Sequence, residues 1–345
     1  MAKVALAMSG GVDSSVSAML LKDQGHEVIG VTFKLNDLSD APETDAGKVC
    51  AFLEIPHRVL DLRKDFEQIV VQPFIESYIS GSTPNPCVVC NKGIKFGKFL
   101  DYALEMGCEF VATGHYGGVG MVNGRYSLKV ADDITKDQTY ALYRLDQKQL
   151  SHILMPLGGM SKPQVRQLAR ERGLPMAERP DSQDICFIPD GDHGSFIERN
   201  IDTAGLAGSF VYEGKKVGTH KGIYRYTVGQ RKGLGLSLGK PAFVKAIDSQ
   251  SREIEVTTEE QEIFYSSLLA ADPVFSMVEA LEGSERVLVK IRYSHKPCEA
   301  EISMEGDQVR VRFDRPQRAV TPGQSAVFYK NGFVFGGGFI ITGEA

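Results

Sequence analysis

No stretch of this 345-residue sequence approaches the roughly 18 consecutive apolar residues that a membrane-crossing helix needs. No secretory signal is visible at its start. The expectation is a cytoplasmic protein with no membrane partner. An excess of basic charge is also missing: the net charge is −5, which excludes a protein that coats nucleic acid with its whole surface. Internal repeats and low-complexity tracts are absent, which excludes repeat architectures and long disordered segments. Cysteine is sparse, with six residues. In a reducing compartment these read as reactive thiols, metal ligands or core residues rather than structural disulfides. Two nucleotide fingerprints are missing as well. Without GxxxxGK[ST] no loop lysine reaches a γ-phosphate, and without GxGxxG a dinucleotide is not expected.

What is present begins at residues 3–15, KVALAMSGGVDSS. Lys3 to Met8 is a short apolar strand, Ser9 to Ser15 a tight turn, and VSAMLLKDQG a helical pattern. Gly10 and Gly11 let the backbone approach a ligand closely. Ser9, Ser14 and Ser15 add hydroxyl donors, and the helix start supplies free N–H groups for an anion. The turn resembles the SGGxDS pyrophosphate loop of ATP pyrophosphatases, which split ATP between its α- and β-phosphates and adenylate a substrate.

Strand and helix patterns alternate onward from there. Strands are expected at His26 to Leu35, Arg58 to Leu60 and Glu109 to Thr113. Asn36 to Gly47 reads as a loop, with Thr44 or Asp45 capping a helix that carries Val49 to Leu53. Helical spacing runs from Phe66 to Tyr78 and from Ile94 to Met106, with a break at Gly81 to Pro86. The alternation predicts an α/β, doubly wound parallel sheet with ligands at the carboxyl ends of its strands. A hairpin is expected around Val122-Asn123-Gly124. Helices are expected at Thr139 to Leu145, Leu150 to Met155 and Lys162 to Arg172, an irregular segment at Arg179 to Pro189, and a helix capped by Asp192 and running through Ile197. From Gly205 the pattern changes to short strands and glycine turns. MVEALEG, RVLVKIRY, CEAEISM, QVRVRF, QSAVFYK and FVFGGGFI read as strands of a small closed barrel. The expected division is 1–204, a catalytic domain; 205–270, a small central β-rich domain; and 271–345, a C-terminal β-barrel.

Local charge departs from the acidic total. Between Val211 and Lys240 there are seven Lys or Arg residues and one acid, and Arg286 to Arg318 carries eight against five. Basic patches on an acidic body suit RNA held at chosen places.

Three cysteines stand out. Cys87 and Cys90 lie in Asn85-Pro86-Cys87-Val88-Val89-Cys90-Asn91, read as a loop just before a helix, where a helix N-terminus would lower thiol pKa. Cys186 lies in the proline-flanked irregular segment. Cys50 and Cys108 have apolar helical surroundings and read as core, and Cys298 as core or incidental. From the residues alone, a CxxC and a distant cysteine allow sulfur transfer, three-cysteine metal or iron–sulfur ligation, or a structural role. The adenylating loop favours the first, because an oxygen must be activated before sulfur can displace it.

A set of landmarks then spans the chain: SGGVDSS at 9–15, TPNPC..CN at 83–91, IKFG at 94–97, ATGHY at 112–116, KDQTY at 136–140, DSQDICFIP at 181–189, GQRKGLG at 229–235 and TPGQSAVFY at 321–329. With these the sequence resembles the tRNA-specific 2-thiouridylases, which convert the wobble uridine, U34, of certain tRNAs to 2-thiouridine. The resemblance implies a Rossmann-like ATP pyrophosphatase domain. It implies ATP along Ala7, Met8, Ser9, Gly10, Gly11, Val12, Asp13 and Ser14, with Phe33 near the adenine and Gly114 close to the nucleotide. Asp13 would hold Mg2+ or orient phosphates, since a triphosphate needs a hard cation. Cys90 matches the nucleophile and Cys186 the persulfide-carrying cysteine. The target base would lie near Asn85, Pro86 and Cys87, with further tRNA contacts at His115, Lys136, Asp137, Gln138, Arg292, Tyr293 and Gln324. Arg231 and Lys232 could grip backbone phosphate. The sulfur would come from a cysteine desulfurase or a sulfur relay protein, and a Cys90–Cys186 disulfide would end a persulfide cycle. One position departs from the family pattern, which often has aspartate where this chain has Cys87. That departure leaves open a [4Fe–4S] cluster on Cys87, Cys90 and Cys186 as the sulfide carrier. A more distant alternative is another adenylating enzyme of the same loop class.

Overall fold

The structure is a computed structural model and describes residues 1–37, 41–177 and 185–344. The first unit is built on a parallel sheet. β1 (Lys3–Ala7), β2 (Glu27–Lys34), β3 (His57–Asp61), β4 (Phe110–Ala112) and β7 (Ile153–Leu154) line up in the order β3-β2-β1-β4-β7. β1 is central, and Val4, Ala5 and Leu6 have no exposed surface. Alternate side chains serve opposite faces. Val4 and Leu6 pack with Val16, Met19 and Leu21 of the helix Val12–Asp23. Ala5 packs with Phe96, Phe99 and Leu100 on the other face. Sheet order reverses at β1, so the crevice at its carboxyl end lies where such sheets bind ligands. Residues 9–15 occupy that end.

Several expectations change. The helix Ala41–Phe52 starts before Thr44 and Asp45, so those residues are helical and not caps. Ala46, Val49, Cys50 and Leu53 give it a buried face, which outweighs the polar composition. The segments 63–79 and 86–105 are both helical, and each contains a π-helical stretch, Glu67–Val71 and Asn91–Lys98. Leu150 to Met155 is not a helix. Ile153 and Leu154 pair in parallel with Val111 and Ala112; two residues are too few to display a period. Only Thr139–Ala141 of the next expected helix is regular, as a single 3-10 turn. Residues 181–184 of the DSQDICFIP landmark, and 179–184 of the expected irregular segment, lie outside the described residues.

The hairpin β5 (Gly118–Val122) and β6 (Arg125–Lys129) forms around Asn123-Gly124 as the turn signal predicts. It does not join the parallel sheet. β6 pairs with the last strand of the C-terminal sheet, Lys129 facing Phe333.

The central unit is a four-stranded sheet, β8 (Gly208–Tyr212), β9 (Lys215–His220), β10 (Phe243–Asp248) and β11 (Glu253–Thr257), in the order β10-β11-β8-β9. The C-terminal unit comprises β12 (Phe264–Phe275), β13 (Ser284–Lys290), β14 (Cys298–Glu305), β15 (Gln308–Arg318), β16 (Ser325–Lys330) and β17 (Phe333–Glu344). Pairing runs β12-β15-β14-β13-β16-β17, and β12 also pairs with β17, so the sheet closes into a barrel without free edges. MVEALEG is loop and not strand. Residue 270 falls inside β12, so a division before Phe264 keeps that strand whole.

Thr83 joins the three units. Its N–H donates to Pro322 O at 2.8 Å, and its carbonyl accepts from Gln324 Nε2 at 2.9 Å. Its hydroxyl meets that of Thr227 at 3.1 Å. Gly323 passes so close that a Cβ there would stand 3.0 Å from Thr83 N.

Candidate active site

The loop 9–15 is organised by its own polar groups. Ser14 Oγ donates to Gly11 O at 3.0 Å, and Ser15 Oγ donates to the same carbonyl at 2.8 Å. Ser9 and Ser14 hydroxyls are 3.3 Å apart. Gly11 has extended backbone and precedes the 12-residue helix Val12–Asp23, whose first N–H groups face the end of β1. Gly10 has φ +73°, and a Cβ on it would meet Asp45 Cβ at 2.7 Å. Gly114 crosses directly over the loop, where a Cβ would lie 3.0 Å from Asp13 and from Ser14 N. Ala7, Met8 and Val12 complete the segment; Met8 and Val12 are buried. Phe33 is half-buried at the end of β2, edge-on to Phe99 with centroids 4.9 Å apart.

Asp13 is the surprise of the loop. Both its carboxylate oxygens accept from Lys162 Nζ at 2.8 Å, and Oδ1 also accepts from Tyr116 OH at 2.8 Å. Lys162 is 7% exposed. Sequence reading passed over this lysine. A signal was available: Lys162 opens a helix, Lys162–Glu171, where the helix dipole disfavours a cation.

The cysteines are also arranged differently from the expectation. Cys87 and Cys90 are not in a loop. Asn85 caps a helix that begins at Pro86, its Oδ1 accepting from Cys87 N at 3.1 Å. An asparagine before a proline at the first helical position is a helix-start signal that the CxxC pattern masked. Cys87 is exposed and Cys90 buried. Helical position does not depress the Cys90 thiol. Burial pushes it up to about 12; Lys95 pulls down, and charge on Cys186 or Cys87 pushes further up.

Cys186 comes from a segment almost a hundred residues away, yet lies near enough for its charge to act on Cys90. Its neighbours Phe187 and Ile188 pack in the same apolar cluster as Cys90, Val70 and Ile94. Phe187 is held edge-on by Phe66, Phe74 and Phe196 at 5.3–5.5 Å. Cys186 is exposed as a residue, but its thiol is raised, first by desolvation, with Lys95 again opposing. Lys95 is a second residue whose role the sequence did not reveal. It also acts on His115, whose imidazole burial holds well below its usual range and hence neutral near pH 7. Cys50 and Cys108 are buried core residues, as expected.

Among the described residues, no group of three or more His, Cys, Asp or Glu side chains could hold a metal ion. Of the three thiols, Cys90 is buried, while Cys87 and Cys186 are exposed as residues.

The residues expected at RNA lie on both sides of this crevice. Tyr293 is 46% exposed and sits edge-on to Tyr140 at 6.1 Å. Its hydroxyl is raised by burial and then by Asp137 and Cys87. Lys290 Nζ lies 5.6 and 5.7 Å from the rings of Tyr293 and Tyr140. Arg292 is half-buried, its Nη1 donating to Arg318 O at 3.4 Å. Other candidates shape the loop. Asp137 is buried and accepts from Ala131 N at 3.0 Å and Thr139 Oγ1 at 2.7 Å. Gln138 Oε1 accepts from Tyr116 N at 2.9 Å. Lys136 is half-buried beside them, and Gln324 is committed to Thr83. His115 Nδ1 pairs with Thr113 Oγ1 at 2.8 Å. Arg231 and Lys232 are exposed in the loop after Gln230. Between the 63–79 helix, Asn85, Pro86 and the barrel residues Pro322 and Phe339 lies an apolar cavity of about 430 Å³.

A phosphate-type loop at the switch point of a parallel sheet, followed by a small β unit and a closed barrel, defines a three-unit protein of the ATP pyrophosphatase class. Comparison with known proteins agrees. Residues 2–190 match the family described as tRNA methyl transferase HUP domain, 194–258 the tRNA methyl transferase PRC-barrel domain, and 266–340 the aminomethyltransferase beta-barrel domain. The tRNA-specific 2-thiouridylase MnmA 1 of Clostridium tetani is 48% identical over 354 residues, covering 99% of this chain and 98% of that protein. The tRNA-specific 2-thiouridylases MnmA of Clostridium kluyveri and Acetivibrio thermocellus are each 47% identical, covering 98% of this chain and 99% of theirs. The chain belongs to the tRNA-specific 2-thiouridylase family. Among the described residues, no helix is long and apolar enough to cross a membrane.

Proposed function

We propose that this protein is an ATP-dependent sulfurtransferase that converts the wobble uridine of tRNA to 2-thiouridine. The observation that supports the reading is that Cys90 and Cys186, from distant segments, lie near enough for charge on Cys186 to act on Cys90 and for Lys95 to oppose both, while Lys95 also acts on His115, whose neighbour Gly114 crosses over the loop 9–15. Such a loop offers N–H groups and hydroxyls to phosphates. The uracil 2-oxygen attacks the α-phosphate of ATP and expels pyrophosphate, leaving C2 with an adenylate leaving group. The terminal sulfur of a Cys186 persulfide attacks C2, and AMP departs. Cys90, as thiolate, attacks Cys186 Sγ, which cleaves the S–S bond and leaves the transferred sulfur on the base. The resulting Cys90–Cys186 disulfide is reduced by an external thiol. A cysteine desulfurase or relay protein reloads Cys186, and the cycle runs in the cytoplasm.

The adenine lies near Phe33. The extruded base enters beside Asn85, Pro86 and Cys87, as base-modifying enzymes require. Tyr293 and Arg292 hold RNA by stacking and charge. The contacts of Lys136, Asp137, Gln138, His115 and Gln324 support the same surface by fixing the loops around it.

The test is direct. The purified protein, given ATP, Mg2+, tRNA and a persulfide donor, should form 2-thiouridine in tRNA digested to nucleosides, with AMP and pyrophosphate in equal amount. Replacing Cys90 or Cys186 with serine should abolish the product and spare ATP binding. Formation of ADP and phosphate would sink the assignment.

A further inference from the structure

No motif singles out Lys290, the last residue of β13, yet the fold places it against two tyrosine rings. β13 pairs with β16 there, Lys290 facing Val327. Tyr140, from the catalytic unit, reaches the same strand. Its hydroxyl donates to Ser325 O at 2.9 Å and accepts from Ser325 N at 3.2 Å. Its ring therefore lies at the joint between the two units, and Lys290 Nζ sits 5.7 Å from the ring centroid. The ring of Tyr293, from the barrel, lies 5.6 Å from the same Nζ.

Lys290 is half-buried. Burial holds its ammonium below the usual lysine range, and only the charge of Asp137 opposes that effect. Asp137 does not pair with it; its oxygens accept from Ala131 N and Thr139 Oγ1. Among the described residues, Lys290 Nζ has the two rings but no hydrogen bond and no ion pair. Ring faces offset less of the lost hydration than a charged oxygen would, and the ammonium has three donors to give. Arg292 is in a similar state. It donates to Arg318 O, and burial and then the charge of Arg318 hold its guanidinium below its usual range. His295 is lowered to about 4 by burial, then by Arg292 and more weakly by Lys290, with Gln317 opposing. Arg318 itself is engaged by Glu260 at 3.0 Å. Beside these cations the ring of Tyr293 is 46% exposed. An unpaired cation next to an open ring matches a nucleotide, whose phosphate takes the charge and whose base stacks. An acidic protein segment would use the cations and leave the ring idle.

We propose that Lys290 is a phosphate-binding residue: it holds a backbone phosphate of the bound tRNA at the joint of catalytic unit and barrel, with the rings of Tyr140 and Tyr293 fixing its ammonium. The proposal deepens the reading of this protein as a tRNA-modifying enzyme and rests on it. The contact positions the RNA and carries no sequence information. It forms only when the two units are docked, because Tyr140 belongs to one and Lys290 and Tyr293 to the other.

The test uses the full-length protein and fluorescence anisotropy of labelled tRNA over a series of salt concentrations. Lys290→Met leaves no ion-paired acid behind, so the variant should fold. It should weaken tRNA binding about tenfold at ~0.1 M salt, the loss of one charged hydrogen bond. The slope of log affinity against log salt should fall by about one. A tRNA without a wobble uridine should lose affinity to the same degree. Lys290→Arg should keep the slope, and the double variant Lys290→Met, Arg292→Ala should lower it by about two. MgATP binding to Lys290→Met should change less than about twofold; a large loss there would assign Lys290 to the phosphates of the nucleotide and overturn the proposal. In the wild-type protein, bound tRNA should shield Lys290 from acylation, read by peptide mass analysis, and this arm needs no variant to fold. A lower melting temperature of Lys290→Met with an unaltered salt slope means that Lys290 only props the joint, and overturns the proposal. Acylation of Lys290 at the same rate with and without tRNA overturns it too. Wild-type protein that binds no tRNA overturns the proposed function itself.

Discussion

Replacing Gly10 with alanine separates two costs that a glycine in a ligand loop conceals. Gly10 has φ +73°, a conformation that costs a residue with a Cβ about 1–2 kcal/mol. The added methyl would also stand 2.7 Å from Asp45 Cβ and 3.0 Å from the backbone nitrogen of Ala46, well inside the roughly 3.5–4.0 Å of a favourable carbon contact. Asp45 and Ala46 belong to the helix Ala41–Phe52, so relief requires the loop or the helix to move by close to 1 Å, an overpacking cost of about 1–3 kcal/mol. The sum is about 2–5 kcal/mol. For a unit of this size that lowers the melting temperature by roughly 5–15 °C. Gly107 is the control. It has φ +74° with nothing within 4 Å of the position of its Cβ, so Gly107→Ala should show the backbone cost alone. Scanning calorimetry of both variants gives the clash as their difference. Because the loop shifts, Gly10→Ala should also lose at least about tenfold in MgATP affinity, since one strong contact is worth that much. Gly107→Ala should lose none. If Gly10→Ala melts no lower than Gly107→Ala and binds MgATP normally, the close approach described for the loop is wrong.

Further predictions concern the other parts of the site. Tyr140→Phe removes a buried hydroxyl that donates to Ser325 O at 2.9 Å and accepts from Ser325 N at 3.2 Å. The barrel should lose about 2 kcal/mol of stability in urea unfolding. In alkylation followed by peptide mass analysis, exposed Cys87 should react before buried Cys90. The Cys90 thiol is pushed up from 9.0 to about 12. Its protonated form is therefore favoured by the fold, giving stabilisation that is full below about pH 8.5, the unfolded value, and is lost as pH rises toward 12. The alkylation rate of Cys90 should accordingly still be climbing as pH approaches 12. Arg292→Ala should weaken tRNA binding and lower the salt slope by about one. Tyr293→Ala should weaken binding without altering that slope.

By itself the sequence determined the local features. VALA, after Lys3, is an apolar run and became the central strand of the parallel sheet, and SGGVDSS follows it at the switch point. Asn123-Gly124 dictated a hairpin, and the short strand patterns of residues 271–345 pointed to a barrel. These features depend on neighbours a few residues apart, where steric and hydrogen-bond preferences act without help from the rest of the chain. The landmarks carried the family for a similar reason, because chemistry is written in short loops. Leu150 to Met155 and Asn36 to Gly47 were misread because pairing with β4 and a buried helix face overrode local preference. What only the tertiary structure decided is which distant groups meet. The hairpin β5–β6 completes a sheet two hundred residues away. A cluster of rings brings Phe187, next to Cys186, into the apolar cluster that holds Cys90, and burial raises the very thiol that its helix position was expected to lower. Lys162 finds Asp13 across 149 positions. Such meetings are fixed by the fit of packed surfaces and by the cost of burying an unpaired charge, and neither has a period or a spacing that a sequence displays.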